Sequence, residues 1–280
     1  MSKCCSWGVY LKLALILLAI WGSLVVFFQD YLIFPMLYRG SAPKPKEGTR
    51  SEIRQMRAGN SLELWVREAD PQGPLASCKL VAILFCGNGG GLSGQAFMQS
   101  IFSKWGVKSY LVDYPGQGRS TGFPSEELIY DNALETASAV MKGEGIDASH
   151  LIVGGNSLGT GFAAYLAKEI QPKALTLFAG YADFAELVRD KNPLYRLLSV
   201  FLKYRMSTVQ FVAQLDKTNL IAIHGTEDRT IPAKHLDEII SSYRGSGIAK
   251  RILIPGAGHN DILDKAGDQV LQGLLAACHL

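Results

Sequence analysis

Six short apolar runs, each bounded by turn residues, restrict what this chain can fold into more than anything else in it: 80–85 (LVAILF), 109–113 (SYLVD), 151–153 (LIV), 174–178 (ALTLF), 220–223 (LIAI) and 251–254 (RILI). A strand that stays apolar on both of its sides must be covered on both. Helix-like segments lie between the runs, at 95–104, 126–141, 157–169, 233–243 and 261–277. Strands that alternate with helices pair in parallel through crossovers. The predicted architecture is therefore α/β, a doubly wound and mostly parallel sheet. Two arms, 51–56 and 62–67, flank Ala58-Gly59-Asn60 and add a hairpin ahead of it. Residues 183–216 break the alternation with a partly amphipathic stretch carrying Phe184, Leu187, Leu194, Leu197, Leu198, Phe201 and Phe211. That stretch fits either a small cap or an ordinary crossover helix with a long loop.

The N-terminal part obeys a different rule. Residues 13–28 (LALILLAIWGSLVVFF) are uncharged and apolar all round, and with residues 9–11 and a snorkelling Lys12 they approach the roughly 20 residues that a bilayer requires. This predicts a single-pass membrane anchor in contact with lipid through residues 9–28. A cleaved signal peptide needs a small-residue cleavage site, and Gln29-Asp30-Tyr31-Leu32-Ile33-Phe34-Pro35 offers none. Lys3 and Lys12 lie on one flank, and Arg39, Lys44, Lys46, Arg50 and Arg54 on the other. The positive-inside count leans toward a cytoplasmic domain by a margin too small to fix the side. The expected organisation is an anchor over 1–30, an interfacial linker over 31–46 with Tyr31, Phe34 and Tyr38 near the headgroups, and the α/β domain over 47–280. Cys4 and Cys5, beside the anchor, leave S-acylation open. The five cysteines (Cys4, Cys5, Cys78, Cys86, Cys278) show neither metal-ligand spacing nor a disulfide framework.

The chemistry is concentrated at three run ends. After 151–153 comes Gly154-Gly155-Asn156-Ser157-Leu158-Gly159, and Gly155-x-Ser157-x-Gly159 is the pattern that lifts a serine hydroxyl above a sheet edge on a sharp strand-to-helix turn. A chain of this length shows that pattern by chance roughly once in ten cases, so partners must be found elsewhere. A serine hydroxyl becomes a nucleophile when a histidine accepts its proton, and a carboxylate must hold that histidine. His224-Gly225-Thr226-Glu227-Asp228 follows 220–223, and Gly256-Ala257-Gly258-His259 follows 251–254. The order is nucleophile Ser157, acid Asp228, base His259, with Glu227 and Asp183 as weaker acids and His224 as a strand-end residue that holds its turn. The negative oxygen of an acyl-transfer intermediate needs preorganised donors. The backbone N–H of Leu158 and one from the loop Phe85-Cys86-Gly87-Asn88-Gly89-Gly90-Gly91, at Asn88, are the candidates. No metal or cofactor is implied. A net charge of +3, scattered along the chain, does not suit nucleic acid. Oligomeric state is not written in the sequence.

The anchor followed by Tyr31-Leu32-Ile33-Phe34-Pro35, the loop Cys86-Gly87-Asn88-Gly89-Gly90, Asp113-Tyr114-Pro115-Gly116-Gln117-Gly118-Arg119-Ser120, Gly155-Asn156-Ser157-Leu158-Gly159, His224-Gly225-x-x-Asp228 and Gly258-His259 together resemble the α/β-hydrolase superfamily. Within it they look most like its single-pass membrane-anchored, lipase- or thioesterase-like members. The resemblance implies Ser157, Asp228 and His259 as a triad acting on ester or thioester bonds of acyl or lipid-like substrates. It makes Asp113 and Arg119 structural ties of their loop. Cys86 stands where the family usually has histidine, a departure that spares the backbone donor. An aminopeptidase-like serine peptidase and a non-catalytic membrane-tethered module are the alternatives.

Overall fold

The structure, a computed structural model, describes residues 4–35, 44–191, 195–196 and 199–279, with side chains from residue 7 onward. The expectations placed on Lys3, Tyr38, Arg39, Leu194, Leu197 and Leu198, and on the side chains of Cys4 and Cys5, fall outside the described residues.

The apolar runs become six strands of one eight-stranded sheet: β3 (Val81–Phe85), β4 (Lys108–Val112), β5 (Leu151–Asn156), β6 (Ala174–Phe178), β7 (Asn219–Gly225) and, at the sheet's edge, β8 (Ala249–Ile254). With the hairpin β1 (Thr49–Gln55) and β2 (Ser61–Arg67), the order across the sheet is β1-β2-β4-β3-β5-β6-β7-β8. β1–β2 and β2–β4 pair antiparallel and all other neighbours pair parallel. Burial follows position: β3, β5, β6 and β7 are buried at every residue, whereas the edge strands β1 and β8 alternate.

Helices α2 (Gly91–Lys104), α3 (Glu126–Glu144), α4 (Gly159–Ile170), α5 (Phe184–Lys191), α6 (Thr208–Val212), α7 (Lys234–Ser242) and α8 (Ile262–Cys278) follow the strands. α3, α4, α6 and α7 pack in a row, while Trp105 at the end of α2 meets Gly267 of α8. Both sides of the sheet are thereby covered, as its apolar strands require. α1 (Cys4–Ile33) is a single long helix, and residues 7–33 are long and apolar enough to cross a membrane.

Two features were not legible in the sequence. Cys78 and Cys278, 200 residues apart, form a disulfide with Cα atoms 6.1 Å apart, clamping α8 to the turn before β3. A cross-link closing so long a loop stabilises by about 2–5 kcal/mol. Cys78→Ser, or reduction of the native chain, is expected to lower Tm by several degrees in a thermal melt.

The second is a buried acidic pair beside β2. Glu63 accepts hydrogen bonds from Ser51 (2.6 Å) and the Trp65 indole (3.1 Å), and Arg119 approaches it at 3.7 Å. Asp113, at the end of β4, accepts from Ser120 at 3.4 Å. Burial and, to a lesser degree, the charge of Glu63 push the Asp113 carboxyl up to about 7 from an ordinary 3.8. A carboxyl raised on folding adds stability below its unfolded value and loses it as pH climbs through the folded one. Tm is therefore expected to fall between about pH 4 and pH 7, with Asp113→Asn flattening that fall in parallel melts.

Candidate active site

β5 ends at Asn156 and α4 starts at Gly159, so the chain reverses within Ser157 and Leu158. The sharpness of the turn drives Ser157 to φ 51°, in the left-handed region that side-chain-bearing residues avoid. Glycine is required two residues to either side. A Cβ on Gly155 would lie 2.8 Å from the Thr160 Cα, and one on Gly159 would lie 2.7 Å from the Cys86 carbonyl oxygen. The Ser157 N–H donates to the Phe178 carbonyl (2.9 Å), and the Thr160 hydroxyl donates to the Ser157 carbonyl (2.6 Å), which fixes the strained residue from both sides.

The loops after β7 and β8 reach the same edge of the sheet and are pinned together. Thr226 N–H donates to the Ile254 carbonyl (3.0 Å) and Glu227 N–H to the Ala257 carbonyl (2.9 Å). This brings together the three residues that the sequence singled out. His259 Nε2 lies 2.9 Å from Ser157 Oγ, and His259 Nδ1 lies 2.7 Å from Asp228 Oδ2. A carboxylate can only accept, so Nδ1 carries the proton and Nε2 is left to receive the serine hydrogen. Ser157 is 8% exposed.

Asp228 is held by more groups than the pattern suggested. Its Oδ1 accepts the N–H groups of Thr230 and Ile231, both at 2.8 Å, and its Oδ2 also faces His224 Nε2 at 3.2 Å. Burial pushes the carboxyl up, but the hydrogen bonds from His224, His259 and Ile231 outweigh it and hold Asp228 well below the usual carboxylate range. Buried His224 also donates from Nε2 to the Ile231 carbonyl (2.9 Å), closing the turn around the acid. The weaker acids stand elsewhere: Glu227 is exposed, and Asp183 accepts the Glu186 N–H at 3.0 Å at the start of α5.

Of the two expected oxyanion donors, Leu158 stands at the N-terminus of α4. Gly87 passes against Ser157, so close that a Cβ there would lie 3.4 Å from Ser157 Cβ, and Asn88 follows it at the exposed surface. Cys86 is buried, and its carbonyl accepts from Tyr114 at 2.6 Å. Gln95, which nothing in the local pattern marks, accepts from the Asn156 amide at 2.8 Å beside the nucleophile. A cleft of about 420 Å³ reaches His259, with Gln95, Phe97, Met98, Phe178 and Leu263 among its walls. None of the described residues of 183–216 lines it. Away from this cleft, ligand atoms of Glu186, His235 and Glu238 lie within 4.8 Å of one another. The Lys234 ammonium already neutralises that neighbourhood, 3.0 Å from Glu186 and 2.7 Å from Asp190.

A mostly parallel eight-stranded sheet with a strained serine elbow and its acid and histidine on successive strand ends is the arrangement of the α/β hydrolases. No family model matches the chain. It is 27% identical over 181 residues to an uncharacterized protein of Mycobacterium tuberculosis, a match covering 64% of this chain and 63% of that protein's length. It is 28% identical over 174 residues to alpha/beta hydrolase domain-containing protein 17B of Xenopus laevis, covering 60% of this chain and 55% of the relative. Among solved structures, a thermophilic esterase from Thermogutta terrifontis superposes with a TM-score of 0.60 at 18% identity, over 86% of this chain and 94% of that one. The chain belongs to the α/β-hydrolase superfamily.

Proposed function

We propose that this chain is a membrane-anchored serine hydrolase that cleaves ester or thioester bonds of acyl, lipid-like substrates through an acyl-Ser157 intermediate. The observation that carries this reading is the hydrogen-bonded line from Ser157 through His259 to Asp228, at 2.9 and 2.7 Å, on a positive-φ elbow. In the first step the Ser157 oxygen bonds to the acyl carbon as its proton passes to His259 Nε2, and Asp228 stabilises the imidazolium. The carbonyl oxygen takes the negative charge and is met by the N–H groups of Leu158 and Asn88. When the intermediate collapses, the bond to the leaving alkoxide or thiolate breaks and His259 returns the proton to it. Water then repeats the sequence on the acyl-enzyme, releasing a carboxylic acid and the serine hydroxyl.

The lipid-like substrate is supported by α1, which satisfies the length and apolarity of a span and keeps the cleft beside the acyl chains of a bilayer. The Cys78–Cys278 disulfide favours an oxidising compartment for the domain, against the small excess of flanking positive charge. Turnover measured on a long-chain acyl ester, its thioester and a matched aminoacyl anilide tests the class. Hydrolysis of ester and thioester without anilide is the expected result. Preference for the anilide would make the protein a peptidase, and no turnover of any of the three by folded protein would overturn the hydrolase reading.

A further inference from the structure

α1 does not hang from the domain on a free tether. Its partly covered positions recur at helical spacing, at Trp21, Gly22, Val25, Val26, Gln29, Asp30 and Ile33, so one side of its last four turns is docked. The contact is made by the segment after β6 and is specific. Gln29 donates to the Phe201 carbonyl (3.3 Å) and accepts the Lys203 N–H (2.7 Å), while Asp30 holds the Lys203 ammonium (2.7 Å) and the Tyr204 hydroxyl (3.0 Å). Phe34, expected near the headgroups, is instead fully buried between the rings of Tyr114 and Tyr204, which offer it an aromatic slot inside the domain.

Beyond this clasp the segment runs on along the helix. Tyr195 stacks on Trp21 (ring centroids 6.3 Å apart), and Phe201 borders an apolar groove with Leu18, Gly22 and Val26. Trp21 lies about 13 Å along the helix axis from Asp30. On the opposite side of the same turns Phe27 and Phe28 stand exposed, 74% and 52%, as lipid-facing residues do. A hydrocarbon layer about 30 Å thick counted back from Phe28 ends near Gly8. Whatever lies beside Trp21 and Val26 then lies inside it. Val200 and Phe201 are nonetheless 63% and 58% exposed, a degree that suits apolar side chains whose surroundings are acyl chains rather than water.

We propose that Tyr195, Val200 and Phe201 form a lip inserted into the same bilayer as α1, and that this lip, with the Gln29–Asp30 clasp, holds the catalytic edge of the sheet against the membrane. Tyr114, Pro124 and the segment carrying the lip all follow the C-terminal ends of parallel strands, the edge that also carries Ser157, Asp228 and His259. An acyl substrate would thus enter the cleft from the lipid layer. The inference rests on the reading of α1 as a membrane span.

An environment-sensitive fluorophore on a cysteine introduced at Val200 tests it. The full chain is used in phosphatidylcholine vesicles, with Cys4 and Cys5 changed to serine and parallel labels at Leu17 in α1 and at exposed Lys142. Retained fluorophosphonate labelling of Ser157 certifies the fold of each variant. The lip predicts that the labels at 200 and 17 are both quenched by nitroxide carried on lipid acyl chains and shielded from aqueous iodide, with the reverse at 142. Iodide quenching at 200 with lipid quenching at 17 overturns the lip and leaves the anchor standing. Iodide quenching at 17 overturns the anchor and the lip together. Shielding at 200 that disappears on dilution into excess lipid would mean a second copy covers the groove, which also overturns it. Val200→Asp with Phe201→Asp is expected to lose most turnover of vesicle-embedded ester while keeping that of a soluble short-chain ester. Equal loss on both substrates contradicts the proposal.

Discussion

Ser157→Ala is expected to lower kcat by roughly 10⁵-fold while leaving Tm within a degree or two of the parent chain. In the proposed mechanism the hydroxyl makes the bond to the acyl carbon, so its removal would leave no covalent route, and the surviving rate would come from oxyanion donors and binding alone. The fold has little stake in that oxygen. Ser157 is tied through its backbone to Phe178 and Thr160, and among the described residues its hydroxyl is hydrogen-bonded to His259 alone. A large drop in Tm would mean that the elbow depends on the hydroxyl, and a mild loss of kcat would remove Ser157 from the chemistry.

Asp228→Asn carries the second large effect, about 10⁴-fold in kcat, and the surrounding hydrogen bonds dictate why. The N–H groups of Thr230 and Ile231 both require an acceptor at the Oδ1 position, so the asparagine carbonyl oxygen must take that place. Its NH₂ group then faces His259 Nδ1, where a carboxylate stood at 2.7 Å. Donor meeting donor forces the imidazole proton to Nε2, and in that tautomer His259 cannot accept from Ser157. The same NH₂ faces His224 Nε2, already committed to the Ile231 carbonyl, so Tm should fall as well. Single-turnover kinetics and melts on this variant separate the two losses. His224→Ala, by comparison, should act mainly on Tm, because His224 reaches the acid and not the nucleophile. Near-normal turnover in Asp228→Asn would assign the acid elsewhere.

What the sequence made legible follows from how local each signal is. The inner strands could be read because a strand covered on both sides has no polar positions to blur it, and 174–178 was bounded without error. The elbow could be read because only glycine fits at 155 and 159, where backbones nearly touch. The structure then brought Ser157, Asp228 and His259 within hydrogen-bonding distance, although they come from three separate loops. Long-range pairings left no such trace. Cys78 and Cys278 look like isolated cysteines until the fold places α8 beside the turn before β3. Glu63 sits in a strand with partial alternation, and nothing nearby announces that Ser51 and Trp65 will bury it. The end of α1 misled most. Phe34, expected near the headgroups, is buried between Tyr114 and Tyr204, and Gln29 and Asp30 before it are buried against Lys203 and Tyr204, partners more than 170 positions away. Residues 183–216, left open between cap and crossover, reach α1 and line no part of the cleft among their described residues.

The central claim is that Ser157 is a nucleophile activated by His259, and a fluorophosphonate tests it most directly because it phosphonylates only an activated serine. Intact-mass and peptide mapping of the full-length chain should find one adduct, on the peptide containing Ser157, absent in Ser157→Ala and strongly reduced in His259→Ala. A folded chain that takes no adduct, or takes it equally after Ser157→Ala, would contradict the account.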